Sequence, residues 1–220
     1  MQELHFFDVD HTITASVTSV QYLFQGIALR CFPLRPVFSI PKMLFDYRDG
    51  DLSIDTFFRK GIPFIEGKTR TSLEELADIA FEKRIKNHIY RDAYTLIKEL
   101  QTQQRQVVLA TSSIDVIIAP LLRFLKVDTG ICSSLMFQEN ICTGKFEGPL
   151  AYGPEKRRRV LDYIEQQQVP LQSCYFYSDS INDLPLLLEI GHPVIINPDK
   201  KLRREALARD WDIRSFTRRL

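Results

Sequence analysis

Two carboxylates set two residues apart, Asp8 and Asp10, stand at the end of a short apolar run and constrain this chain more than any other feature. Leu4, Phe6 and Phe7 predict a strand that runs into Asp8-Val9-Asp10-His11-Thr12-Ile13-Thr14. Positions i and i+2 of extended backbone share one side, so the two carboxylates project together and Thr12 follows at the next step. Two like charges held together destabilise a fold unless a cation lies between them. An oxygen-only acidic site of this kind suits a hard divalent ion such as Mg2+. A strand that merely ends in an Asp- and Thr-rich turn has the same letters, so the choice rests on what partners the remaining chain supplies.

The chain has 220 residues, enough for one generous domain or for a domain carrying a smaller insertion. A formal net charge of +1 gives no overall pull toward nucleic acid or an acidic surface. Cys31, Cys132, Cys142 and Cys174 form no CxxC pair, and His5, His11, His88 and His192 are scattered. That argues against a zinc centre and for a reduced, cytoplasmic setting. Asp8 and Asp10 interrupt the N-terminal apolar stretch and no basic segment precedes it, so no secretory signal is expected. Residues 11–29 lack Asp, Glu, Lys and Arg but include Thr12, Ser16, Gln21 and Gln25; they read as a buried or amphipathic helix, not a membrane span.

Downstream, Pro33, Pro36 and Pro41 forbid one long helix. The apolar stretch from Phe32 to Phe45 reads as the inner face of a small helical domain in preference to a lipid-facing patch. Asp46, Asp49, Asp51 and Asp55 read as turn and cap residues, because their spacing does not fit an EF-hand loop. Helices are expected over 52–65 and 72–89, the second with Leu73, Leu76, Ala77, Ala80 and Phe81 on one stripe. From Tyr90 onward helix and strand alternate: helices over 93–101, 114–125, 154–168 and 184–190, and strands over 106–110, 174–177 and 194–196. A hairpin is expected over 131–148, turning near Glu139-Asn140, with Cys132 and Cys142 on opposite arms; residues 200–219 read as a basic tail. Short β-rich runs separated by helices predict an α/β fold, a Rossmann-like doubly wound parallel sheet. The expected organisation is an α/β core of residues 1–14 and 89–220, with residues 15–88 inserted as an all-helical cap.

Ligands of such sheets bind at the carboxyl ends of the strands, and three further polar groups fall there. Thr111-Ser112-Ser113 follows the run Val107-Val108-Leu109-Ala110 and precedes a helix, where hydroxyls and free N–H groups cradle phosphate or simply cap the helix. Lys156, Arg157, Arg158 and Arg159 crowd a helix start, which opposes the helix dipole. Lys156 shares the apolar line of Val160, Tyr163 and Ile164, so it points inward, whereas the arginines read as a solvated patch. Ser178-Asp179-Ser180-Ile181-Asn182-Asp183 ends another strand; Asp183 suits a helix cap before Leu184-Pro185, but Asp179 has no such use and completes an oxygen-only metal site.

Taken together, these segments resemble the haloacid dehalogenase superfamily, and within it the phosphoserine-phosphatase-like branch (subclass IB) with a helical cap of the C1 type. Asp8-Val9-Asp10-His11-Thr12 resembles the first motif, Thr111 the second, Lys156 the third, and Asp179 with Asn182 and Asp183 the fourth. His11 stands where glycine is commonest, and Ser178 replaces the glycine that precedes the fourth-motif aspartate. The resemblance implies a Mg2+-dependent phosphomonoester hydrolase acting on a small phosphorylated metabolite such as phosphoserine. Asp8 is then the nucleophile that forms an aspartyl-phosphate, and Asp10 the general acid and base. Mg2+ is held by Asp8, Asp179 and the carbonyl of Asp10. Thr12, Thr111, Ser112 and Lys156 bind the substrate, with Asn182 and Asp183 in support. Three readings compete: a phosphatase of phospholipid head groups at the membrane surface, a phosphotransferase with an acceptor other than water, and a non-enzymatic receiver-like phospho-switch. The position of Asp8 and Asp10 on the first strand argues against the switch. No nucleic-acid partner is expected, and nothing in the sequence selects an oligomeric state.

Overall fold

A computed structural model describes residues 2–34 and 62–220. Pro36, Pro41, the four aspartates around Gly50, most of the apolar stretch after Phe32 and most of the helix expected over 52–65 lie outside the described residues. In chain order the first elements are β1 (Leu4–Phe7), α1 (Thr18–Ala28), α2 (Arg70–Ala80), α3 (Arg91–Thr102), β2 (Gln106–Ile114), α4 (Asp115–Leu125) and β3 (Thr129–Ser133). Then come β4 (Leu135–Gln138), β5 (Ile141–Phe146), α5 (Pro154–Gln166), β6 (Cys174–Ser178), α6 (Leu184–Leu187), β7 (His192–Ile196), α7 (Lys200–Ala208) and β8 (Asp212–Arg214).

All four side chains of β1 are buried, as a strand covered on both faces requires. It is central in a six-stranded sheet of order β3-β2-β1-β6-β7-β8, in which every pairing is parallel. The chain builds outward from β1 through β2 and β3, then returns to build the other half from β6. The order therefore reverses beside β1, and a crevice at the carboxyl ends of the strands opens there. Alternation along the strands divides the core. Leu4, Phe6, Val108 and Phe176 pack with Val160, Ile164, Leu186 and Leu202 of α5, α6 and α7. Phe7, Leu109 and Tyr177 join the opposite cluster with residues of α1 to α4.

Thr69 caps α2 by accepting the Ser72 N–H at 3.1 Å, so the helix begins at Arg70. It continues as a π turn over Phe81–Ile85 and a 3-10 turn over Lys86–His88. Both connections between this helical block and the sheet are paired: the Ala15 N–H donates to the His88 carbonyl at 2.7 Å and the Tyr90 N–H to the Ile13 carbonyl at 2.9 Å.

Six expectations need correction. The hairpin is β4–β5 alone, turning at Glu139 and Asn140 with φ of 46° and 70°, the left-handed pair that a two-residue hairpin turn demands. Thr129–Ser133 is instead an edge strand of the main sheet, so Cys132 and Cys142 are not on opposite arms, and both thiols are free. Strand β2 runs past Ala110 to Ile114 through a register shift against β3, leaving Thr111, Ser112 and Ser113 extended. Helix α4 starts at Asp115, whose Oδ1 accepts the Val116 N–H at 2.8 Å, so neither serine caps it. Within 52–65 the described end is a 3-10 turn at Pro63–Ile65. The helix expected over 184–190 is a 3-10 turn, Ile181–Asp183, followed by the single turn of α6. The basic tail is largely ordered structure: Asp199 caps α7, and β8 closes the sheet edge.

Candidate active site

Pairing of β1 continues one residue beyond the strand, where the Asp8 N–H donates to the Tyr177 carbonyl at 2.9 Å. The chain then curls tightly. The Val9 carbonyl accepts N–H groups from Thr12, Ile13 and Thr14 at 3.3, 2.8 and 2.9 Å. His11 sits at φ 61°, the left-handed region that glycine enters freely and histidine at modest cost. The loop keeps Asp8, Asp10 and Thr12 buried at the sheet's carboxyl edge.

Lys156, the third residue of α5, is 3% exposed. Its Nζ donates to Asp8 Oδ1 at 2.8 Å and to Asp183 Oδ2 at 2.9 Å. Asp183 makes no side-chain cap for α6; its Oδ2 instead accepts a second bond from Ser178 Oγ at 2.6 Å. Thr12 Oγ1 donates to Asp179 Oδ1 at 3.4 Å. The loop that carries Asp179 is anchored by Asp199, whose N–H donates to the Asp179 carbonyl at 2.9 Å and whose Oδ2 accepts the Ile181 N–H at 2.7 Å. On the other flank, Asp10 Oδ1 accepts the Thr18 N–H at 2.8 Å, which supplies α1 with the cap that Val17 lacks. The hydroxyls of Thr18 and Ser113 lie 3.0 Å apart, and Thr111 Oγ1 accepts the Ser113 N–H at 3.1 Å.

Among the residues expected at the site, Asp8, Lys156 and Asp183 are directly joined, Thr12 is joined to Asp179, and Asp10 is linked through Thr18 and Ser113 to Thr111. Ser112 shares the edge, but its recorded bond is through its carbonyl, which accepts from Ser133 Oγ at 3.4 Å. The Asn182 N–H donates to Ser180 Oγ at 3.3 Å. Ser113 belongs to the hydroxyl run that the sequence points to, whereas Thr18 and Asp199 are not among the residues expected at the site; of these two, Asp199, standing just before a helix, carries a visible cap signal.

Burial is the dominant influence on Asp8, Asp10 and Asp179. It raises Asp8 to about 6 against the pull of Lys156, and raises Asp10 to about 6 against its hydrogen bonds from Thr18. Asp179 is pushed well above the usual carboxylate range by burial and then by the charges of Asp8 and Asp183, so these groups act on one another at short range. Burial disfavours the Lys156 ammonium, but Asp183 and Asp8 outweigh it and raise its pKa. Asp8 Oδ2 is buried without a hydrogen-bond partner. Such an orphaned anionic oxygen beside a second raised carboxylate has the donor chemistry of a hard-cation site.

The doubly wound sheet thus carries a lysine-locked acidic cluster at its switch point. The chain belongs to the haloacid dehalogenase-like hydrolase family, whose sequence model matches residues 5–188. A phosphoserine phosphatase from Mycobacterium tuberculosis is 29% identical over 216 residues, spanning 96% of this chain and 70% of that protein. A histidinol-phosphatase from Neisseria meningitidis is 29% identical over 226 residues, spanning 98% of this chain and all of the relative. The fold is shared with a Bordetella pertussis protein of unknown function, at a TM-score of 0.84 and 22% identity over 97% of this chain and 98% of that one. It is shared also with a substrate-bound phosphoserine phosphatase, at 0.73 and 17% over 100% and 94%. The chain is thus a phosphatase of that family. No described helix is long and apolar enough to cross a membrane.

Proposed function

We propose that this protein is a Mg2+-dependent phosphomonoester hydrolase that acts through an aspartyl-phosphate on a small phosphorylated amine or alcohol in the cytoplasm. The observation that carries the reading is Lys156 held between Asp8 and Asp183 while Asp8 Oδ2 stays buried and unpartnered. The relatives named for phosphoserine and histidinol phosphate support the substrate class, and four free cysteines suit a reduced compartment.

In this reading a carboxylate oxygen of Asp8 attacks phosphorus as the ester P–O bond breaks. Asp10 gives its proton to the departing oxygen, and a carboxyl raised to about 6 is protonated in a far larger share of molecules near neutral pH than an ordinary carboxyl. Asp10 then takes a proton from water as the water oxygen attacks phosphorus; the bond to Asp8 breaks, and inorganic phosphate leaves. Thr12, Thr111, Ser112 and Lys156 bind the phosphoryl oxygens, and Asp183 holds Lys156 in place, with Asn182 supporting the loop. Asp8, Asp179 and the Asp10 carbonyl would hold Mg2+. Among the described residues no group of three or more His, Cys, Asp or Glu side chains is arranged for a metal. When bound, the ion screens the anionic nucleophile from the anionic phosphate. Residues 15–88 form the cap that selects the leaving group, over a core of residues 1–14 and 89–220.

The test is a screen of phosphorylated metabolites, including phosphoserine and histidinol phosphate. Phosphate release that stops with a chelator and returns with Mg2+ is the expected result. No release from any monoester in the presence of Mg2+ overturns the reading.

A further inference from the structure

Ser178 is fully buried, and its hydroxyl serves the reacting cluster without being one of the groups assigned above. It closes the last strand before the acidic loop, where the Ser180 N–H donates to Ser178 Oγ at 3.2 Å and Ser178 Oγ donates onward to Asp183 Oδ2 at 2.6 Å. That same Asp183 oxygen accepts from Lys156 Nζ at 2.9 Å, and Lys156 reaches Asp8 Oδ1 at 2.8 Å. A continuous hydrogen-bonded path, with Ser178 and Lys156 both donating to Asp183, therefore links the backbone to Asp8 through side chains that are all buried. The chemistry of each link matters. A serine hydroxyl both accepts and donates, so it can pass the orientation of a fixed N–H to a carboxylate. A carboxylate oxygen shared by two donors has far less freedom to rotate than one held by a single flexible lysine.

We propose that Ser178 is a positioning residue, whose hydroxyl fixes the Asp183 carboxylate and through it aims the Lys156 ammonium at Asp8. Glycine at this position leaves the orientation of Asp183 to Lys156 alone; serine adds a second, rigid determinant from the strand itself. The proposal rests on the reading of Asp8 and Lys156 as reacting groups, but its physical core, the tether from Ser178 to Lys156, is measurable without turnover.

The experiment compares wild type, Ser178→Ala and Ser178→Gly by steady-state kinetics and by the 15N resonance of Lys156 Nζ. Removing one hydrogen bond to a charged group is expected to lower kcat about tenfold with KM held within about twofold, and to speed exchange of the Lys156 ammonium protons by a similar factor. Both variants lack the hydroxyl and should agree, and glycine supplies a folded comparison if alanine packs poorly. Adding Ser178→Ala to Asp183→Asn is expected to cause no further drop in kcat, because the tether already ends at residue 183. An equal drop in both backgrounds overturns the proposal, since the serine then acts through general packing. Wild-type kcat and a wild-type Lys156 resonance in Ser178→Ala overturn it as well. If the wild type hydrolyses no monoester, the functional reading falls, and an unchanged or altered Lys156 resonance still decides the role of Ser178.

Discussion

Lys156 and Arg158 stand two residues apart on one helix and carry the same charge, yet they belong to different physical regimes. Lys156 lies 2.8 and 2.9 Å from two carboxylates with 4% of its side chain exposed; Arg158 lies 2.7 and 2.5 Å from Glu155 and Asp162 with 57% exposed. The distances alone rank the outer pairs as equals. In water, however, such pairs are screened and contribute little. In the buried cluster each ion has lost its hydration, so removing one partner leaves an uncompensated charge. The inner face of α5 therefore couples stability to chemistry, and the outer face mainly keeps the helix wet.

Removing the proposed nucleophile should produce the largest effect. Asp8→Asn is expected to cut turnover by a factor on the order of 10⁴ or more without lowering the unfolding midpoint, because one member of a crowded acidic group has been neutralised. Steady-state hydrolysis and a urea melt on one preparation measure both, and retained turnover breaks the assignment. Its companion Asp10→Asn should stall at the covalent stage, visible as a phosphate adduct by intact-mass spectrometry. Next in size is Lys156→Met, which strands Asp8 and Asp183 in the interior and should cost about 3 kcal/mol of stability as well as activity. An unchanged urea midpoint in that variant would remove the distinction between the two faces.

A smaller effect sharpens the comparison with a buried group that is neutral. His5, near the opposite end of the sheet, stacks on Tyr175 at 4.4 Å and faces the Tyr177 hydroxyl at 3.1 Å. Burial lowers its pKa from 6.5 to about 4. The unfolded chain thus takes up a proton below about pH 6.5 that the folded chain refuses until about pH 4. This contribution is fully present above 6.5 and is lost as pH falls across that window, by about 2 kcal/mol. Asp8, Asp10 and Asp179 act in the opposite sense over this window but equally in both proteins, so urea melts at pH 7 and pH 4.5 should show wild type losing about that much relative to His5→Gln. The smallest effect is that of Arg158→Ala, for which both kcat and the melting midpoint should match wild type; a drop in either would mean that the outer face is not the solvated patch described here.

Legibility in the sequence followed how many independent signals each element carried. The interior strands are continuous apolar runs with few other uses, and β1 could be read from Leu4, Phe6 and Phe7 alone. Lys156 was placed inward because it shares a helical line with Val160 and Ile164, and both of those are buried. What failed were segments with divided signals. Thr111 to Ser113 suit a cap as well as a strand, and only pairing with β3 extends β2 through them. The boundary between β3 and β4 falls inside one run from Ile131 to Phe137, where no Gly or Pro marks it. Helix α7 buries only Leu202 and Ala206 beneath a basic surface, too thin a stripe to separate a helix from a tail. At the site, the residue types were readable but their tethers were not. The contact of Thr18 with Ser113 joins segments far apart in sequence that meet only in the fold, and the bonds of Ser178 to Ser180 and Asp183 depend on the conformation of one loop.

Placing β1 between β2 and β6 also governs the order in which a ribosome can complete this molecule. Strand β1 precedes both of its neighbours in the sequence and is central, yet one of them follows some hundred and seventy positions later, as the pairing of Leu4 with Cys174 shows. Until that neighbour emerges, a nascent polypeptide bears the first carboxylate pair with neither Asp179 nor Asp183 in reach. In the proposed mechanism such a copy lacks the loop that completes the acidic cluster, and its unpaired apolar strand edge is open to association until β6 is made.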